Sequence, residues 1–331
     1  MSGLGPVVRL APAKVNLTLS IVGRRPDGFH ALHSIMAPLG LADRLSLAPA
    51  AGSADTLHLA GDDLDRVALG PLAGNLVLQA IAAARAAVGG ARRAPALAAR
   101  LEKRIPIAAG LAGGSSDAAA ALDGALEAWG AGGNAVLSQD ERLRVAARLG
   151  SDVPFFLAGE LAIVEGRGER VTPLPGAIRG EAPGILLVVP RIAVATAEVF
   201  AAYAASGAAI NGATRLTSEH LAGELQRGLT AQTLHDRAGI LASANDLFPA
   251  TAALEPAIVP FRRALARLTG RPIGMSGSGP TLWVLYPSLE AAQAAEVRVR
   301  GSIDDGVLVA PGDRPPFVVA STIVSRLAGQ P

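Results

Sequence analysis

The sequence predicts an α+β protein of two domains. Three observations carry that expectation. Hairpin-like strand pairs and helices are interspersed along the chain, without the regular alternation of a doubly wound sheet. The 331 residues exceed one ordinary domain and suit two packed ones. Half of the residues are hydrophobic while aromatics make up only 3%, which implies a core of small side chains with helices packed close.

In chain order, the segment VNLTLSIV at 15–22 alternates. Val15, Leu17, Leu19 and Ile21 point one way and Asn16, Thr18 and Ser20 the other, so a half-buried strand with a polar face is expected. RRPDG then turns the chain, with Pro26 and Gly28 at turn-favouring positions. Strands are expected at 33–38, 44–48, 56–60 and 96–104, and a helix on apolar spacing at 74–88. A glycine-rich stretch opens a second helix that runs to about Trp129. Ser138 with Glu141 three residues on is a capping-box signature for a third, which Gly150 ends. Ser151 or Asp152 is N-cap-like before a short helical turn, and ELAIVEGRGERVTPL reads as a hairpin turning at Gly166–Gly168. The domain boundary is expected within GAIRGEAPG, residues 176–184. Beyond it come a buried strand, ILLVVP, and helices near 196–204, 217–226 and 254–268. The strand TLWVLYP, the helix SLEAAQAAEVRVR and a final strand in PFVVASTIVS complete the chain.

Composition narrows the function classes. A net charge of +2 with dispersed basic residues gives no dense patch for nucleic acid. Absence of cysteine excludes disulfides and thiolate metal sites and fits a reducing compartment. Neither a cleavable leader nor an 18-residue apolar run is visible, so a cytoplasmic protein without membrane contact is expected. Among 30 basic side chains only Lys14 and Lys103 are lysines, which marks both as candidates for roles needing a compact ammonium.

The most informative stretch is KRIPIAAGLAGGSSDAAAAL, residues 103–122, where small residues stand at the mouth of a helix. A helix start offers unpartnered N–H groups and the positive end of a dipole, and glycines upstream let the backbone approach a ligand. Gly110, Gly113 and Gly114 with the hydroxyls of Ser115 and Ser116 thus suit a phosphate cradle. The plain alternative is a glycine-rich turn with Ser115 or Ser116 as an ordinary N-cap. Walker A, Gly-x-Gly-x-x-Gly and protein-kinase signatures are all missing, so a nucleotide would need another architecture. Three further segments matter: Lys14 at the head of the amphipathic strand, Asp152 in LGSDVPFFLAG, and the loop GMSGSGPTLW at 274–283. Taken singly they also read as a surface charge, an N-cap and a tight hairpin turn.

The four segments in this order resemble the galactokinase–homoserine kinase–mevalonate kinase–phosphomevalonate kinase (GHMP) superfamily, whose ATP cradle is Pro-x-x-x-Gly-Leu-x-x-Gly-Ser-Ser. Here that pattern is Pro106, Gly110-Leu111 and Gly114-Ser115-Ser116. The segments PAKVNLTLSIVGRRPDGFHALHSI, IPIAAGLAGGSSDAAAAL, GSDVPFFLAG and MSGSGPTLW narrow the resemblance to members that phosphorylate a cytidine diphosphate methylerythritol in non-mevalonate isoprenoid biosynthesis. The resemblance implies a ribosomal protein S5 domain 2-like N-terminal domain, 1–184, for ATP and catalysis. A ferredoxin-like C-terminal domain, 185–331, would lie on the substrate side. It implies ATP on Pro106, Ala108, Ala109, Gly110, Leu111, Ala112, Gly113, Gly114, Ser115 and Ser116, accompanied by Mg2+. Lys14 and Asp152 match the catalytic pair, Asp152 as base and Lys14 as the ammonium that holds it ionised. Asn16, Phe29, His30, Thr196 and Phe200 match the substrate side, with His30 reading the cytosine ring. Phe29 stands where the family commonly has tyrosine, which removes a hydroxyl. Two other readings are a homoserine kinase-like enzyme and a non-catalytic nucleotide sensor. A flat ring next to His30 suits a base better than an amino acid, and a sensor could dispense with Lys14 and Asp152.

Overall fold

The structure, a computed structural model, describes residues 6–61, 74–90, 92, 94–130, 137–207 and 212–326. Its first strands are β1 (Val7–Arg24), β2 (His30–Pro49), β3 (Thr56–Ala60) and β4 (Leu97–Glu102). They continue with β5 (Ala162–Gly166), β6 (Arg170–Pro173), β7 (Ile178–Arg179) and β8 (Gly184–Val189). The last are β9 (Leu229–Thr230), β10 (Gly274–Met275), β11 (Leu282–Tyr286) and β12 (Phe317–Thr322). The helices are α1 (Leu76–Ala87), α2 (Gly113–Gly130), α3 (Gln139–Leu149), α4 (Val153–Ala158), α5 (Thr196–Ala205) and α6 (Gly212–Arg227). There follow α7 (Ala231–Asp236), α8 (Ala238–Leu241), α9 (Phe248–Leu254), α10 (Ile258–Thr269) and α11 (Leu289–Asp304).

Two compact units arise, each from separate stretches of chain. One gathers Met1–Ala13, Leu41–Ile107 and Ala112–Ala158; the other gathers Lys14–Gly40, Ala108–Leu111 and Gly159–Pro331. A single cut near residue 184 does not describe them, because β1 and β2 each begin in one unit and end in the other.

In the first unit the end of β2 pairs antiparallel with β4, and β4 pairs parallel with β3. Asn75 starts α1 by accepting a hydrogen bond from Val77 N, and Ser138 with Glu141 forms the expected capping box of α3. The buried face of α2 is largely alanine, and a Cβ on Gly124 would stand only 2.8 Å from a Leu47 methyl. Small side chains therefore bring that helix close, as the composition implies.

In the second unit the start of β2 pairs with β5, and β5 turns through Gly166–Gly168 into β6. Strands β10-β11-β8-β12 form a fully antiparallel sheet in that order. Phe261 and Leu265 of α10 and Ala292, Ala295 and Val299 of α11 pack on its Leu186, Val188, Val284, Tyr286 and Val318. This strand order is that of the expected ferredoxin-like domain.

Three expectations change. The strands foreseen at 33–38 and 44–48 are one strand, β2, since Pro38 O accepts from Val324 N and Leu39 bridges Ile323 across the intervening residues. Strand β1 is buried on both faces from Ala11 to Ile21, because other polar side chains cover its polar face. The helix foreseen at 254–268 is α10, which starts only at Ile258, because Glu255–Ala257 around Pro256 part it from an unforeseen helix, α9, and proline breaks backbone hydrogen bonding. No helix among the described residues is long and apolar enough to cross a membrane.

Candidate active site

Lys14 is not a surface charge. It is 4% exposed, and its Nζ donates to Asn16 Oδ1 at 2.7 Å. Asn16 in turn donates from Nδ2 to Ser34 Oγ at 2.8 Å, and its backbone N–H reaches Ser276 Oγ at 3.3 Å. Both ends of the Asn16 amide are thus engaged, and one of them aims the lysine. Farther along the same polar face, Thr18 meets Ser218, while Asp246 accepts from Ser20 and from Ile21 N. Each polar side chain of the alternating strand has a protein partner, as buried polar groups require.

The second glycine–serine loop, 276–281, is a hairpin connection between β10 and β11 and also a clamp. Ser276 Oγ donates to Gly110 O at 2.9 Å, and Thr281 Oγ1 donates to Ala109 O. Lys14 N donates to Leu111 O at 3.1 Å. Ala109, Gly110 and Leu111 are therefore fixed through their carbonyls, which leaves the N–H edge of the loop for other partners. Asn245 Nδ2 steadies the clamp through Met275 O and Gly277 O.

Backbone geometry in the 108–112 stretch is unusual. Ala108 (φ 53°), Gly110 (φ 75°) and Ala112 (φ 55°) are all left-handed. Left-handed residues at alternate positions turn N–H groups inward, the geometry of an anion-binding nest. For an alanine each such position costs on the order of 1–2 kcal/mol.

In the first unit α2 starts at Gly113, two residues before the serines. Ser115 and Ser116 therefore sit inside its first turn and are not its N-cap. Ser116 N closes the first helical bond to Ala112 O at 3.0 Å, so the N–H groups of Gly113, Gly114 and Ser115 belong to the unpartnered start of the helix. Ser116 Oγ is buried and has no hydrogen-bond partner among the described residues. A hydroxyl in that condition fits a phosphate oxygen or a phosphate-bound cation, and the whole stretch fits a nucleotide's phosphate chain. Next to it Lys103 Nζ contacts Asp43 Oδ2 and donates to Asp117 Oδ2 at 2.7 Å. Asp43 also accepts from Arg104 N and Ile105 N. Burial, only partly offset by Lys103 and reinforced by Asp43, pushes the Asp117 carboxyl up to about 7. Asp152 lies half-buried immediately before α4, in the turn where Val153 N bonds Gly150 O. No group of three or more His, Cys, Asp or Glu able to hold a metal occurs among the described residues.

In the second unit the ring of His30 stacks on Phe200, centroids 5.5 Å apart and 26° from parallel, and Tyr203 meets it edge-on at 5.7 Å. Burial and then the Arg24 charge hold the His30 imidazole below its ordinary 6.5, which keeps it neutral at pH 7. Phe29 points elsewhere. It is 52% exposed, with the Arg167 guanidinium 5.6 Å over its ring. Thr196, the first residue of α5, shares a 3.0 Å hydrogen bond with Ser278.

The structure thus gathers Lys14, Asn16, Ala109, Gly110 and Leu111 around the 276–281 loop, and separately gathers His30 with Phe200. Pro106, Gly113–Ser116 and Asp152 belong to the first unit and Lys14 to the second. Sequence reasoning missed Ser276, Asn245 and Tyr203 as site residues, and Asp43 and Asp117 beside the cradle. Tyr203 had a signal, standing three residues after Phe200 on the same helix face. Asp43 had none, since its partner Lys103 is 60 residues away.

Residues 75–160 match the family described as GHMP kinases N terminal domain, and residues 224–303 match GHMP kinases C terminal. The fold is that of an ATP-dependent small-molecule kinase, and ATP is its substrate. A 4-diphosphocytidyl-2-C-methyl-D-erythritol kinase of Pelotomaculum thermopropionicum is 37% identical over 92% of this chain and 96% of its own length. One of Xanthobacter autotrophicus is 42% identical over 87% of this chain and 92% of its own. A crystal structure of 4-(cytidine 5'-diphospho)-2C-methyl-D-erythritol kinase superposes with a TM-score of 0.66 at 29% identity, covering 95% of this chain and 99% of that one. A homoserine kinase from Cytophaga hutchinsonii reaches the same TM-score at 18% identity, covering 98% and 97%, a likeness of fold alone. The chain belongs to the 4-diphosphocytidyl-2-C-methyl-D-erythritol kinase family.

Proposed function

We propose that this kinase transfers the γ-phosphoryl group of ATP to the 2-hydroxyl of 4-diphosphocytidyl-2-C-methyl-D-erythritol, a step of non-mevalonate isoprenoid biosynthesis. The observation that carries the choice of substrate is the neutral His30 ring stacked on Phe200 with Tyr203 at its edge. Flat rings with one neutral donor–acceptor imidazole suit a pyrimidine far better than an amino acid. Thr196, at the start of the helix that carries Phe200, belongs to the substrate side, whereas Phe29, aimed at Arg167, takes no part in that stacking.

Phosphoryl transfer asks for positioning, charge stabilisation and a group to take the hydroxyl proton. Asp152 is the base, and Lys14 supplies the ammonium that steadies the developing alkoxide. Asn16 acts from the substrate side through its hold on Lys14. The N–H groups and hydroxyls of 108–116, entered through Pro106, receive the phosphates of ATP. A hydroxyl of Ser115 or Ser116 would hold a Mg2+ bound with those phosphates, which would supply charge neutralisation there. All the ATP-side and catalytic groups named here, with Asn16, Phe29 and His30, fall within residues 1–184, and 185–331 supply Thr196 and Phe200. The cysteine-free composition suits a cytoplasmic location.

Replacing Asp152 with Asn is expected to lower turnover by about 10²–10⁴-fold, the usual worth of general base catalysis, while leaving ATP affinity near wild type. A coupled ADP-release assay with the cytidine substrate, run beside the same sample without it, reads both the activity and the loss. Near-normal turnover of the variant removes Asp152 as the base, and no substrate-dependent ADP release removes the substrate assignment.

A further inference from the structure

Lys103 is the second of the two lysines, and the proposed mechanism does not use it. Its Nζ lies within the first unit between two buried carboxylates, Asp43 of β2 and Asp117 of α2. Asp43 is itself tied to the backbone N–H groups of Arg104 and Ile105. The lysine also presses on the helix start: a Cβ on Gly113 would stand 3.4 Å from its Nζ and 3.1 Å from Ile105 Cγ2. Asp117 directly follows Ser116, whose buried hydroxyl is without a partner among the described residues. One of the Asp117 carboxylate oxygens is likewise unpartnered there. Two carboxylates about one ammonium are expensive to bury, and a replacement by apolar side chains is often as stable. Retaining the trio therefore calls for a reason beyond stability.

We propose that Lys103 is a positioning residue for phosphoryl transfer: held by Asp43 and pulling on Asp117, it fixes the first turn of α2 and so the N–H groups and serine hydroxyls that meet the nucleotide's phosphates. The inference rests on the nucleotide-cradle reading given above. Lysine suits the task because a compact ammonium can donate to two separate carboxylates in a space that Gly113 keeps narrow, whereas a guanidinium is the bulkier group. The device acts on ATP and not on the cytidine substrate, and that asymmetry is its signature.

Steady-state kinetics of the full chain carrying Lys103→Met or Asp117→Leu, with both substrates varied, tests this. KM for ATP is expected to rise tenfold or more in each variant while KM for the cytidine substrate stays within twofold, and Asp117→Asn, which keeps an acceptor oxygen, raises the ATP KM less than Asp117→Leu. Should Lys103→Met fail to fold, the Asp117 pair alone decides. Equal increases for both substrates, or lowered thermal stability with an unchanged ATP KM, overturn the proposal and leave the trio a structural ion cluster. Wild-type protein that binds ATP tightly but phosphorylates nothing would instead remove the substrate reading, and ATP titration of the variants would still decide the role of Lys103.

Discussion

At the scale of single residues, the 108–112 loop stores conformational cost. Ala108 and Ala112 hold left-handed backbone that alanine disfavours, and Gly110 holds it where a side chain has no room. A Cβ on Gly110 would lie 2.6 Å from Ser276 O and 2.8 Å from Gly279 O, both rigid backbone atoms. Gly110→Ala is therefore expected to cost about 3 kcal/mol by urea denaturation, the sum of left-handed strain and displaced backbone. An equally stable variant would mean that the loop is not clamped as described. Legibility at this scale was uneven. Gly110, Ser115 and Ser116 stood out in the sequence because their types and spacing serve one purpose. That Ser115 and Ser116 lie inside the helix, and not at its cap, depended on where Gly113 begins the first turn.

At the scale of elements, β1 shows how a surface-like pattern becomes interior. Its alternating polar side chains would face water on an isolated strand, yet Ser218 of α6 bonds Thr18, and the same Ser218 Oγ lies 2.8 Å from His33 Nδ1. Burial is the chief cause that holds His33 below its ordinary 6.5, with Glu165 and Glu219 opposing it and Arg215 assisting. The sign follows directly. As pH falls through about 6.5 the unfolded ring takes up a proton that the folded ring resists, so acid favours unfolding. Unfolding free energy is expected to be level above about pH 7 and to decline toward pH 5, with a shallower decline in His33→Gln, as read from denaturant midpoints across that range. Parallel slopes for the two proteins would mean that His33 is not held neutral by this packing. Strand β1 was legible from its period of two, but its second buried face was not. Alternation reports which residues share a face, and only a partner distant in sequence decides whether that face meets water.

At the scale of the whole molecule, a kinase that binds ATP only when folded must be stabilised by it. A concentration of ATP one hundred times its dissociation constant is expected to add about 2.7 kcal/mol, seen as a raised unfolding midpoint, and Asp152→Asn should keep that gain while losing turnover. A midpoint indifferent to ATP would count against the cradle itself. The sequence by itself determined the α+β class, the kinase family, the order of the longer strands and helices, and the types of residue that chemistry would need, because periodicity, capping and loop composition act over a few neighbouring residues. Tertiary structure alone decided that β2 runs unbroken past Pro38 and Gly40, and that two compact units share β1 and β2 where a single boundary was expected. It alone joined Asp43, Lys103 and Asp117. Each of those outcomes depends on pairing between segments far apart in the chain, which leaves no periodic trace in either segment alone.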